Sequence, residues 1–185
     1  MKTIICALVF FPISVFSNYS TQAAENKYYI GPGDVIEISV WKDPELSRKL
    51  IVPPDSIISF PLIGSIDVTE LAVSELKNIV TQKLSEFIPD ATVTVMLLEI
   101  NSLKAYVIGK VQSPGEFAIN LDTRVMQILS KAGGLTPFAS KGNIKIIRQQ
   151  DNKIIKIPFN YGQVEDGKNL EQNITLKTGD VVVVP

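Results

Sequence analysis

Residues 28–41 read YYIGPGDVIEISVW, and the fold class turns on how this stretch is read. From Val35 to Trp41 the residues alternate, with Ile36, Ile38 and Val40 on one face and Glu37, Ser39 and Trp41 on the other. That period of two predicts a half-buried β-strand. Ahead of it, Gly31-Pro32-Gly33-Asp34 supplies a turn: proline presets φ at one position and glycine accepts φ > 0 at the next. The glycines lack a third partner at dinucleotide spacing and lead into a strand, so this is no phosphate-binding loop.

Upstream, Lys2 precedes an apolar run from Ile4 to Phe16, and Thr21-Gln22-Ala23-Ala24 ends in small residues. This pattern reads as a cleavable secretory signal peptide over residues 1–24, cut after Ala23 or Ala24. The run is short for a membrane span and is broken by Pro12. Cys6, the only cysteine, falls inside it, so the mature chain has no thiol and no disulfide. Small residues do not precede Cys6 as they would in a lipoprotein cleavage box, so a lipoprotein is not expected. Residues 25–185 suffice for one or two domains. A formal net charge of −1 offers no basic surplus for tracking phosphates, and nucleic acid is not an expected partner.

The sequence contains no histidine, which excludes Ser-His-Asp and Cys-His nucleophile systems and imidazole metal sites. No metal or cofactor is expected. Carboxylates alone could serve a glycosidase, and Asp43 with Glu45, Asp55, and Asp90 with Glu99 are present. Nothing in their spacing marks a pair, and they read as solvated surface groups.

Further along, Pro53-Pro54-Asp55 predicts a second turn, followed by short strands at 57–60 and 66–68 with Pro61 and Gly64 between them. From Ser74 to Phe87 the period becomes helical through Leu76, Ile79, Val80, Leu84 and Phe87, and Pro89 stops the helix. Residues 91–100 alternate again. The cycle then restarts at Asn101-Ser102, which predicts a domain boundary between 25–101 and 102–185. In the second unit, a strand over 103–111 turns at Ser113-Pro114-Gly115 and returns over 116–119. A helix follows, capped by Asp122 or Thr123 and ended by Gly133-Gly134. Residues 144–148 and 154–157 flank Asp151-Asn152-Lys153 as a hairpin. Thr178-Gly179-Asp180 introduces a closing strand, 181–184, by the same Gly-Asp step as the first. The expected class is α+β: two small mixed-sheet domains, each with one packed helix.

In order, YYIGPGDVIEISVW, PPDSIISFPLIG, VIGKVQSPGEF, ILSKAGGL and TGDVVVVP resemble the bacterial polysaccharide export family. The resemblance covers about Tyr28 to Pro185. It implies an export domain followed by a soluble-ligand-binding β-grasp (SLBB) domain, and a non-enzymatic part of the route by which capsule or exopolysaccharide leaves the cell. It further implies a ring-shaped homo-oligomer that handles polysaccharide and contacts an inner-membrane polysaccharide co-polymerase. Longer relatives carry a lipidated cysteine and a C-terminal helix crossing the outer membrane. Neither is visible here, so the expectation is a periplasmic protein, peripheral at the outer membrane, that works with a separate outer-membrane β-barrel pore. Where relatives often start the export-domain helix with threonine, this chain has Ala72 ahead of Glu75, which removes the side-chain acceptor of a capping box.

In this reading Gly31, Pro32, Gly33, Asp34, Pro114, Gly115, Gly133, Gly134, Gly179 and Asp180 are structural turn residues. Candidate saccharide contacts are Tyr29, Trp41, Lys145 and Arg148: aromatic rings stack on sugar faces, and cations suit an anionic polymer. Tyr28, Tyr106, Tyr161, Lys153 and Lys156 are further candidates on the same chemical grounds. Hairpin lysines also discourage edge-to-edge pairing, and aromatics also fill cores and interfaces. A stand-alone periplasmic saccharide-binding module is the alternative function, and a carboxylate-dependent glycoside hydrolase or lyase is a third.

Overall fold

In a computed structural model that describes residues 27–150 and 153–185, the chain forms two α+β units with separate cores. The predicted signal peptide and the Asp151-Asn152 turn lie outside the described residues. The first unit is built on β1 (Val35–Val40), which pairs antiparallel with β2 (Asp43–Ile51) on one side and β5 (Val93–Glu99) on the other. A separate hairpin, β3 (Ile57–Phe60) and β4 (Gly64–Asp67), packs against the same core. Ile36, Ile38 and Val40 point inward, as the alternation predicts, to meet Leu76, Val80 and Leu84 of α1 (Val73–Leu84). Each such side chain contributes about 1.5–3 kcal/mol by leaving water.

Three features of this unit differ from expectation. Strand β2 carries a polar sequence, DPELSRKLI, in which only Leu46 is buried, so it shows no readable alternation. As an edge strand it has a partner on one side only, where Pro44 and exposed charges are tolerated. Trp41 lies in the turn between β1 and β2 rather than in the strand. Helix α1 stops at Leu84, three residues short of Phe87: the Phe87 and Ile88 amides both donate to the Leu84 carbonyl, and Phe87 is left exposed. Ala72 is the N-cap, as expected, with extended backbone. The Glu75 carboxylate accepts from the Ala72 N–H at 2.8 Å, but the Ala72 methyl returns nothing, so half of the capping box is present.

The second unit is a five-stranded sheet in the order β7-β6-β10-β8-β9, comprising β6 (Lys104–Gly109), β7 (Gly115–Ala118), β8 (Ile144–Gln150), β9 (Lys153–Phe159) and β10 (Val181–Val184). Central β10 runs parallel to β6 and antiparallel to β8, the only parallel pair among the described residues. Helix α2 (Val125–Lys131) covers one face, packing Ile128 and Leu129 onto Ala105, Val107, Ile146 and Val182. The one-helix expectation holds for the first unit. Here the return from β9 to β10 adds the short α3 (Tyr161–Glu165), capped by the Asn160 side chain, and a 3-10 turn at Leu170–Gln172.

The cap of α2 is neither Asp122 nor Thr123 but Arg124. The Thr123 hydroxyl instead accepts from the Asn120 N–H at 2.8 Å, closing the preceding turn, while Gln127 accepts from the Arg124 N–H. At the other end Gly133 and Gly134 have φ of +78° and +84°, the left-handed backbone that ends a helix. The loop holding Pro114 and Gly115 meets that end: the Gln112 and Ser113 amides donate to the Gly134 and Ala132 carbonyls.

Candidate functional site

The two Gly-Asp steps are the same small device used twice. At the first, the Asp34 amide donates to the Gly31 carbonyl at 3.1 Å and the Asp34 carboxylate accepts from the Gly31 N–H at 2.9 Å, with Gly33 at φ +91°. At the second, the Asp180 amide donates to the Lys177 carbonyl and its carboxylate accepts from the Lys177 N–H at 2.8 Å, with Gly179 at φ +82°. Both aspartates are fully buried. A buried carboxylate needs hydrogen-bond partners or an opposite charge, and each aspartate finds a different one.

Asp34 holds the junction between the units. One carboxylate oxygen accepts from the Asn101 and Ser102 N–H groups, each at 2.9 Å, while the other takes Gly31 N–H and the Tyr28 hydroxyl. Burial, and then the hydrogen bond to Asp34, push the Tyr28 phenol well above its ordinary pKa. From the second unit, the Thr178 hydroxyl donates to the Ser102 carbonyl and accepts from the Lys104 N–H. Pro32, Gly33, Asn101, Ser102, Lys104, Tyr106, Thr178 and Gly179 thereby surround a hollow of about 370 Å³. Both turns predicted as structural converge here, on the predicted boundary residues.

Asp180 is balanced by Arg148, whose guanidinium donates to both carboxylate oxygens, at 2.8 and 2.6 Å, and to the Thr175 carbonyl at 3.0 Å. The side chains are 11 % and 0 % exposed. Arg148 is therefore withdrawn from the hairpin surface as a saccharide contact: it sits on the inward face of β8 and neutralises a buried carboxylate.

The other three candidate contacts remain outside but do not converge. Tyr29 is half exposed, with the Lys27 ammonium 5.6 Å from its ring centroid. Lys145 lies on the outer face of β8, opposite Pro158 and Val183. Trp41 is 72 % exposed and lines a hollow of about 280 Å³ with Ser39, Ser47, Thr92 and Thr94. Between the two units runs a larger, mainly apolar groove of about 1040 Å³, floored by Val95, Leu97, Ile100 and Leu103. Sequence reasoning missed it because its floor comes from residues on both sides of the junction.

Among the described residues no cluster of His, Cys, Asp and Glu could hold a metal ion, and no helix is long and apolar enough to cross a membrane. A family model described as "Polysaccharide biosynthesis/export protein" matches residues 22–98, and one described as "SLBB domain" matches residues 103–184. The chain is 27 % identical over 187 residues to the EPS I polysaccharide export outer membrane protein EpsA of Ralstonia nicotianae, a match covering 88 % of this chain and 48 % of EpsA. It is 29 % identical over 160 residues to the polysialic acid transport protein KpsD of Escherichia coli, covering 85 % of this chain and 28 % of KpsD. The chain thus spans about half the length of the first relative and less than a third of the second. With the two matched domains in tandem and these relatives aligned along most of its length, the chain belongs to the bacterial polysaccharide export family, an export domain followed by an SLBB domain.

Proposed function

We propose that the chain serves polysaccharide export in the periplasm as a non-enzymatic conduit component. Copies stand side by side in a ring-shaped homo-oligomer that links an inner-membrane polysaccharide co-polymerase to the outer-membrane pore. The observation that carries this reading is the outer face of the second sheet. Strand register sets Tyr106, Val181 and Ile147 in one row and Ile108, Val183 and Lys145 in the next. Helix α2 packs on the opposite face, and on this one Tyr106 and Ile108 stay 38 % and 46 % exposed. An exposed apolar patch edged by charged residues, here Lys145 and the Lys104–Glu116 ion pair, marks a surface that works covered. Absent histidine and cysteine chemistry in the described residues and the names of the relatives both favour conduit over catalyst.

The test is the mass of residues 25–185 by light scattering over a concentration series, without and with the periplasmic domain of the candidate co-polymerase. A closed multimer is expected in at least one condition, and Ile108→Lys should leave a folded monomer. A persistent monomer in both conditions would favour a stand-alone saccharide-binding module instead. Surface polymer measured in a host lacking the gene, then complemented, reads the export role itself.

A further inference from the structure

The Trp41 corner of the first unit has a structure that ring assembly and the junction do not account for. Trp41 is the only tryptophan in the chain and leaves most of its indole in water. Its backbone is nonetheless firmly held. The Trp41 N–H donates to the Thr92 carbonyl at 2.9 Å, and the Ser47 hydroxyl clips the turn by accepting from the Val40 N–H and donating to the Asp43 carbonyl. Lys42, next in the chain, takes the left-handed φ of +63° that a tight reversal demands. The indole therefore stands on a fixed base beside a hollow of about 280 Å³.

The lining of that hollow is chemically specific. Ser39 and Thr94 are cross-strand partners on the solvent side of β1 and β5, and Thr92 continues the same side. These aligned hydroxyls can each donate and accept. An aromatic plane flanked by hydroxyls matches a pyranose ring, whose C–H face is apolar while its rim is a set of hydroxyls. Charge narrows the class further. Residues 27–101 carry six Lys/Arg against eleven Asp/Glu, and at the rim of the hollow Lys42 offsets Asp43, so no unpaired cation awaits an anion there. A uronate or sialate carboxylate would meet this acidic surplus, whereas an uncharged sugar would not.

We infer that Trp41, with the hydroxyls of Ser39, Thr92 and Thr94, forms a shallow site for one uncharged pyranose residue of a saccharide chain. The inference rests on the export reading only for its biological meaning, since binding can be measured without it. The hollow accommodates a single ring and is open, so binding is weak and exchange fast, which suits a surface that touches a moving polymer rather than retaining it.

The single tryptophan makes the test direct. Intrinsic emission of the full chain is titrated with the methyl glycosides of glucose, galactose and mannose, with N-acetylglucosamine, and with glucuronic and galacturonic acids. Glycerol serves as a polyol control. A saturable blue shift is expected with at least one neutral sugar, in the millimolar range, and a Kd at least about tenfold higher for the acids. Thr94→Val should raise the neutral-sugar Kd about fivefold or more while the emission of the free protein stays unchanged, a conservative variant that keeps the strand. Trp41→Ala should abolish binding followed by saturation-transfer NMR.

Three results would overturn the site: no saturable response to any neutral sugar, tighter binding of the acids, or emission that shifts with protein concentration but not with sugar. The last would make Trp41 a contact between copies. Surface polymer in a gene-deleted host judges the export reading separately: a chain required for export that binds no neutral sugar loses the site alone, and a chain that binds sugar but is dispensable for export loses only that reading.

Discussion

Arg148 shows how much a single side chain can change role between sequence and structure. In the sequence it sits in a hairpin with Lys145, Lys153 and Lys156, and only its place two residues after Ile146 aligns it with the inward face. In the fold it faces inward and meets Asp180, far away in the chain, with two hydrogen bonds. Arg148→Ala should cost about 3–5 kcal/mol, because it leaves a fully buried carboxylate without its counter-charge. Urea unfolding would check this, and a loss below about 1 kcal/mol would mean that water reaches Asp180. Tyr28 yields a pH prediction. Its folded pKa is raised, so its contribution to stability is complete below the ordinary phenol pKa of about 10 and declines as pH rises above it. Tyr28→Phe should therefore flatten the alkaline fall of the thermal midpoint, and an unchanged alkaline slope would show that Tyr28 ionises as a free phenol.

At the scale of elements, the first turn of α1 and the pairing of β6 with β10 offer the sharpest tests. Ala72 occupies the N-cap and is largely buried, so the smaller Ser is a better replacement than Thr. Ala72→Ser should add about 1 kcal/mol by completing the reciprocal bond with Glu75. A denaturant midpoint that stays in place would mean the hydroxyl adds nothing for the Glu75 N–H, which already donates to the Ala72 carbonyl at 3.0 Å. Gly109 has φ +96°, and a Cβ there would stand 2.0 Å from the Val184 carbonyl oxygen. Gly109→Ala must push β10 away from β6, and the backbone strain alone costs about 1–3 kcal/mol. Gly115→Ala, where a Cβ meets nothing within 4 Å, is the matched control and should change stability little. Most elements were legible from hydrophobic period, and the exceptions have local causes. Strand β2 offers one buried residue in nine, so no alternation marks it. Helix α3 spans five residues, too few for a stripe, and its one sequence signal was Asn160 three residues ahead of Gln163.

At the scale of the molecule, charge is divided between the units. Residues 27–101 hold six Lys/Arg against eleven Asp/Glu, while residues 102–185 hold eleven against seven. Side-by-side copies bring like-charged units together, so the ring reading has a definite salt signature. Raising salt shortens the screening length from about 10 Å at 0.1 M to about 3 Å at 1 M, and the light-scattering mass should then rise. If copies instead met head to tail, acidic unit against basic unit, the same salt would lower the mass. An apolar contact such as the outer face of the second sheet supplies attraction that screening does not remove. That charge division was present in the sequence from the start. Its use depends on the two units being separately folded bodies, which the two buried clusters make them.

What the sequence determined by itself was local: the turn at Gly31–Asp34 and its echo at Thr178–Asp180, the helical stripe of α1, and the ordered string of motifs that resembles the export family. Each rests on interactions within a few residues, where backbone geometry and side-chain period leave a direct trace. Tertiary structure alone decided that Asp34 ties Asn101 and Ser102 to the first unit, that Arg148 is buried against Asp180, that both Gly-Asp turns face one hollow, and that Trp41 stands beside a row of hydroxyls. These pairings join residues dozens of positions apart. A buried carboxylate binds whichever donor the chain fold delivers to it, and no period along the sequence records which one that will be.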